Sequence, residues 1–287
     1  MKHAMTERIP ITKTYKLAIG GAFPRSESGR STRVTDRAIG IDAHVCRASR
    51  KDLRAAVEAA HAALPGWSGA PAYLRGQILY RLAEMMEGKR AELTASLGAG
   101  AERELDAAID RVIHFAGWTD KHGAVSGGAN SVSGPYHNFT IPTPMGVLAC
   151  VAPDAPALLG LVTMVAGPLC AGNTLVALAG ETNPIPAMVL AEALATSDLP
   201  AGAVNILTGF RDELVPHIAS HREIIGVHAA GVGDAHRAAL REGAAENLKR
   251  VTVRAEDLDF FDERACEGPR WLDPFVEFKT IWHPSAV

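Results

Sequence analysis

The side chains of this sequence that could serve as nucleophile, base or metal ligand are few and poorly assembled. Its four cysteines, Cys46, Cys150, Cys170 and Cys266, are far apart, and none forms a C-x-x-C pair. Cys150 and Cys170 lie in apolar runs and read as small buried hydrophobes. Cys266 falls in an acidic loop between Arg264 and Glu267. Negative neighbours raise a thiol pKa, so it is expected to be a bystander. His217, His221 and His228 suggest a metal, but His228 belongs to another element and no Cys or carboxylate completes a set. Surface histidines are the expectation. Glu102, Glu104, Asp106 and Asp110 make the solvated face of a helix. Gly231-Val232-Gly233 stands between a strand and a helix, where backbone can approach a pyrophosphate at a helix N-terminus. The competing reading makes Gly231 an ordinary turn glycine. No G-x-S-x-G, Walker A or H-E-x-x-H pattern is present.

The elements that must position these residues are legible from periodicity. Residues 147–151 and 174–178 are short and wholly apolar, as inner strands of a parallel sheet covered on both faces should be. Residues 203–207, 224–228 and 249–253 read as further strands, with helices over 186–196, 212–220 and 233–245 between them. Strands alternating with helices of this length predict an α/β fold, a doubly wound Rossmann-like parallel sheet. Upstream, a helix starts after Ser49 and is expected to end at Pro65-Gly66. Two more cover 72–88, with Leu74, Ile78, Leu82 and Met85 on one face, and 102–118. Residues 15–19 and Gly20-Gly21 read as a short strand and hairpin, 23–36 as a polar surface segment, and 123–135 as a linker. Residues 258–270 are acidic and irregular. Residues 275–282 alternate with period two, giving a half-buried strand whose natural partner is 136–141. The expected division is 1–270, with 130–145 contributing to a small β flap, and 271–287 as the flap's terminal strand.

Bulk properties exclude some partners. The chain has 287 residues, 47% hydrophobic and 21% charged, with net charge −3. That composition supports a large core, and no basic block long enough to follow a phosphate backbone exists, so no nucleic acid is expected. Prolines and Asp154 interrupt the apolar stretch 146–179, which predicts a buried strand–helix–strand and no membrane span. Residues 1–10 lack the apolar run of a signal peptide, and the unpaired cysteines fit a cytoplasmic location.

Motifs at the element ends add a likeness. They are Pro144-Met145-Gly146-Val147, Pro153, Gly172-Asn173-Thr174, Glu181 and Pro184, the turn Gly202-Ala203-Val204-Asn205-Ile206-Leu207-Thr208-Gly209, and Asn247-Leu248-Lys249-Arg250-Val251-Thr252. Their shared order resembles the aldehyde dehydrogenase superfamily from about residue 17 to 253, and again over the terminal strand. Pro153-Asp154-Ala155-Pro156 and Lys279-Thr280-Ile281-Trp282 are similar to elements of its short, divergent members and of the inactive second half of two-unit members.

The resemblance implies an oligomerisation flap and an NAD(P) site, and it also marks departures. The family's oxyanion-donating Asn falls on Ala155, and loss of one such donor costs about 10²–10³ in rate. Its ribose-binding Lys falls on Leu178, while the acidic partner remains as Glu181. Its general-base Glu falls on Arg254, whose guanidinium cannot accept a proton. The nucleophilic Cys belongs to a segment this chain is expected to lack. Glu181, Gly209, Gly231 and Gly233 are the candidate cofactor contacts, with no or weak NAD(P) binding expected. Phe139, Phe275, Phe278, Ile281 and Trp282 are the candidate interface, because a bare apolar edge strand is a liability unless covered. A non-catalytic subunit is expected, assembling with itself or with an active aldehyde dehydrogenase. The alternatives are an NAD(P)-dependent aldehyde dehydrogenase with residual or relocated activity, and a module that senses NAD without turnover. Arg254 itself either fills the vacated site, pairs with Glu181 or Asp234, or reaches solvent.

Overall fold

In the computed structural model, which describes residues 11–37 and 40–285, the chain opens with β1 (Thr14–Tyr15), β2 (Ser31–Asp36) and β3 (Ile41–Cys46). β3 is the middle strand, antiparallel to β2 and parallel to β1. Part of the expected polar segment is therefore a strand. Gly20 and Gly21 do turn the chain, with Ile19 and Ala22 bonded across them, while Ala18 bridges to Ile206. The leader-peptide reading of residues 1–10 lies outside the described residues.

α1 (Arg50–Ser68) begins in a capping box. The Ser49 hydroxyl accepts from the Asp52 N–H while the Asp52 carboxylate accepts from the Ser49 N–H. It does not end at Pro65-Gly66. Trp67 is fully buried and its indole N–H donates to the Leu169 carbonyl at 3.0 Å. Burial of a side chain this large outweighs the one hydrogen bond lost at Pro65. α2 (Ala72–Gly88) has the expected bounds but buries Leu79, Leu82, Ala83 and Met86, leaving Leu74 exposed. α3 (Arg90–Leu97), α4 (Ala101–Ala116), α5 (His122–Ser126) and β4 (Gly128–Asn130) follow. The expected linker thus contains a strand, paired with β5 (Tyr136–Pro144).

The central sheet is built from β6 (Val147–Val151), β7 (Thr174–Leu178), β8 (Val204–Leu207), β9 (Gly226–Ala229) and β10 (Arg250–Val253). All pairs are parallel, in the order β10-β9-β6-β7-β8. Between them run α6 (Ala157–Cys170), α7 (Ile185–Leu194), α8 (Arg211–Ser220) and α9 (Asp234–Ala244). One apolar cluster joins α2, α4, α6 and α7 to one face of the sheet; the other joins α1 and α8 to the opposite face. This is the doubly wound arrangement, with its crevice at the carboxyl ends of the strands where the order reverses beside β6.

The tail is more ordered than its composition predicts. α10 (Glu263–Cys266) and two single 3₁₀ turns bury Phe260, Cys266, Trp271 and Phe275. β11 (Val276–Pro284) then pairs antiparallel with the whole of β5, in a three-stranded sheet ordered β11-β5-β4. No helix among the described residues is long and apolar enough to cross a membrane.

Candidate functional site

Strand polarity brings the carboxyl ends of β6 to β10 to one edge, carrying Ala152 to Ala155, Gly180 and Glu181, Thr208 to Arg211, Ala230 to Gly233, and Arg254. The sequence-predicted positions therefore do converge. What occupies their centre is Arg211, which sequence reasoning missed. It is 7% exposed. Its guanidinium donates to Asp154 Oδ2 at 2.8 Å and to the Ala152 carbonyl at 2.8 Å. The other Asp154 oxygen accepts from the Glu181 N–H at 2.6 Å, and the Glu181 carboxylate accepts from the Arg211 N–H. Three strand ends are thus tied by one ionic bar. Burial raises the Asp154 carboxyl, but the Arg211 hydrogen bond and charge, with the backbone donors of Thr182 and Glu181, outweigh it and hold it below the usual range.

The space enclosed beside Glu181 is small. Glu181 and Gly209 line a cleft of about 20 Å³ with Gly180, Thr208 and Phe210. That holds a water or so, whereas ligand sites measure roughly 300–1,000 Å³. Leu178 is buried in the apolar cluster with Val151, Leu207 and Leu214. Gly231 adopts a left-handed φ of +62°, and a Cβ there would come within 3.1 Å of the Pro153 Cα. Its glycine serves close packing of the β6 loop, the competing reading of that residue. Gly233 caps α9 in extended conformation and is followed by Asp234, whose charge disfavours a phosphate at that helix end. At these two positions Leu178 and Asp234 offer a nucleotide neither an ammonium nor an uncharged helix end. The larger hollow, about 800 Å³ between α2 and the end of α4, is an open surface groove lined by Tyr73, Tyr80, Ile113 and Lys121, remote from the strand ends.

Arg254 does not pair with Glu181 or Asp234 and does not reach solvent freely. Its Nε–H donates to His228 Nε2 at 2.8 Å and its guanidinium lies 3.7 Å from the Trp271 ring centre. Burial lowers it to about 10, so it stays charged at neutral pH. His228, expected on the surface, is fully buried. Burial and the Arg254 charge hold it well below 6.5, hence neutral. With Nε2 accepting, Nδ1–H donates to the Met164 carbonyl at 3.0 Å. Among the described residues no group of His, Cys, Asp and Glu could hold a metal. Cys266 is likewise buried, not looped into solvent, and its thiol bonds the Asp259 carbonyl. Burial pushes that thiol up against the opposing pull of Arg111. Glu104 is not simply solvated: its carboxylate accepts from the Leu158 and Leu159 N–H groups at the start of α6.

The candidate interface residues divide. Phe275 is 1% exposed and packs on His228, so its surface is spent within the chain. Phe139 and Ile281 are half-buried in the flap, while Phe278 and Trp282 are exposed.

The sequence matches the Aldehyde dehydrogenase family over residues 26–256. Retinal dehydrogenase 2 of Gallus gallus is 32% identical over 279 residues, which cover 89% of this chain and 53% of that protein. Aldehyde dehydrogenase, cytosolic 1, of Elephantulus edwardii is 30% identical, covering 83% of this chain and 49% of that protein. The chain spans about half the length of these relatives. Among solved structures, the NAD+ complex of aldehyde dehydrogenase from Bacillus cereus superposes with a TM-score of 0.78 at 26% identity, over 84% of this chain and 50% of that one.

Proposed function

Because the chain belongs to the aldehyde dehydrogenase family, we propose that it is a non-catalytic member, a structural or regulatory subunit that assembles through its flap with itself or with an active relative. The observation that carries this reading is the buried Arg211–Asp154 pair that ties the ends of β6, β7 and β8 beside the strand-end crevice. A buried guanidinium already bonded to a carboxylate and a carbonyl supports weak or no dinucleotide binding, because a phosphate would have to compete with those partners. Three substitutions point the same way. Ala155 has no donor for an oxyanion, Leu178 lies in apolar core, and Arg254 is engaged with His228 and Trp271. Cys266, whose charge state couples to Arg254, is buried and protonated at neutral pH. A cytoplasmic location accompanies the proposal, fitting the free cysteines.

The test is aldehyde-dependent NADH or NADPH formation by the purified chain. No turnover above background is expected with aliphatic or aromatic aldehydes. Turnover that Cys266→Ala abolishes would establish the alternative, an NAD(P)-dependent aldehyde dehydrogenase with relocated chemistry.

A further inference from the structure

Among the described residues, exposed large apolar side chains gather in two places, the flap and the open groove between α2 and the end of α4. The second group is Tyr73, Leu74, Tyr80 and Ile113, exposed by 69%, 43%, 53% and 39%. Singly exposed apolar residues need no explanation, but a gathered patch marks a contact site. Its floor is fixed. A Cβ on Gly76 would lie 2.7 Å from Thr119 Oγ1 and 3.0 Å from the Ala116 carbonyl oxygen, so glycine lets α2 close on the end of α4. Along α2 the outward residues form two pairs of equal spacing, Tyr73 with Tyr80 and Leu74 with Arg81. Seven residues fall about 20° short of two helical turns, so the members of each pair share one side of the helix, about 10 Å apart. Gln77 lies at the middle of both pairs. Among the described residues, the side chains of Tyr73, Gln77, Tyr80 and Lys121 have no hydrogen-bond partner.

We infer that this face packs on the same face of a second copy of the chain, α2 against α2 and antiparallel, about a two-fold axis level with Gln77. The contact is separate from the flap and does not depend on it. A two-fold across antiparallel helices sets each residue against the one at the mirrored height on the same side. Tyr73 therefore meets the second copy's Tyr80, twice over, and Leu74 lies along the aliphatic stem of Arg81. Gln77 meets Gln77, and an amide that both donates and accepts satisfies its own copy. Charge favours the same direction. Asp120 and Lys121 stand beside the amino half of α2, and Arg81, Glu84 and Asp198 mark its carboxyl half, with Arg81 bonded to Glu84 at 2.8 Å. Reversal carries Lys121 toward the second copy's Glu84, whereas parallel helices would set Glu84 against Glu84. Sliding the second copy by one turn sets Tyr73 against Glu84 and Tyr80 against Gln77, which ends both ring pairs.

Cys46, Cys150, Cys170 and Cys266 are all buried, so a single exposed cysteine placed in the full chain reports the contact. Under mild oxidation, Gln77→Cys is expected to give a linked pair of twice the 30.3 kDa chain. Tyr73→Cys and Tyr80→Cys are expected to link when mixed and not singly. Tyr80→Glu, at an exposed side chain with no bond inside the chain, is expected to halve the mass seen by light scattering, with unchanged circular dichroism. The halving separates this contact from the flap. If the flap also assembles, a larger species falls to a dimer; if it does not, a dimer falls to a monomer. Linking by Tyr73→Cys alone would overturn the antiparallel arrangement. A Gln77→Cys chain that stays unlinked, with Tyr80→Glu of unchanged mass, would overturn the contact and leave the groove to an unlike partner.

Discussion

The two ends of the central sheet carry different kinds of residue. At the amino ends sit several of the motifs on which the family likeness rests, and these hold structure. Asn173 accepts from the Gly146 N–H and donates to the Pro168 and Phe275 carbonyls. Asn205 accepts from the Gly20 N–H and donates to the Leu175 and Gly202 carbonyls. Lys249 donates to the last carbonyls of α8, and Arg250 ties the start of β11 to the sheet. At the carboxyl ends, where ligands bind in doubly wound folds, an apolar Leu178 and the Arg211–Asp154 bar stand instead. On the non-catalytic reading proposed above, the amino edge keeps its role while the carboxyl edge is rebuilt.

Substitutions can break or sharpen that contrast. The largest effect is expected for Asn173→Ala, which strands the Gly146 N–H and the Phe275 carbonyl in a fully buried site. A loss of about 3 kcal/mol or more in urea unfolding is expected. A loss below about 1 kcal/mol would deny the amino edge its structural role. Asp154→Ala leaves Arg211 buried without its carboxylate. Because Asp154 is 35% exposed and solvent screens the pair, about 1–3 kcal/mol is expected, and a neutral result would reduce the bar to a surface contact. The sign with pH is fixed. The folded carboxyl is held below 3.8, so its contribution is present at neutral pH, and the gap between wild type and variant closes as pH falls through that region.

The smallest expected effect lies at the amino edge. Burial lowers Lys249 to about 8 from 10.5. Between those values the unfolded chain holds a proton that the folded chain releases, so stability rises with pH there. Wild type is expected to gain on Lys249→Met in melting temperature from about pH 8 to 10. A constant gap across that range would mean that Lys249 is not desolvated.

The same contrast explains what the sequence makes legible. β6 and β7 match their expected bounds because unbroken apolar runs need nothing beyond local pattern. The pairing of β11 with β5 follows from period-two alternation and the need for a partner. β2 is missed because Ser31, Thr32, Arg33 and Thr35 carry no apolar signal, and its order comes from pairing with β3. Arg211 is missed for a related reason. Its partner Asp154 is distant in the chain, and nothing beside it in sequence marks a buried guanidinium.

Titration calorimetry of the purified chain with NAD+ and then NADP+ tests the central claim, that its own side chains close the strand-end crevice. No saturable heat is expected up to about 1 mM of either dinucleotide. A dissociation constant near 1 μM, about −8 kcal/mol of binding free energy, would mean that the ionic bar opens and that the carboxyl edge still serves a cofactor.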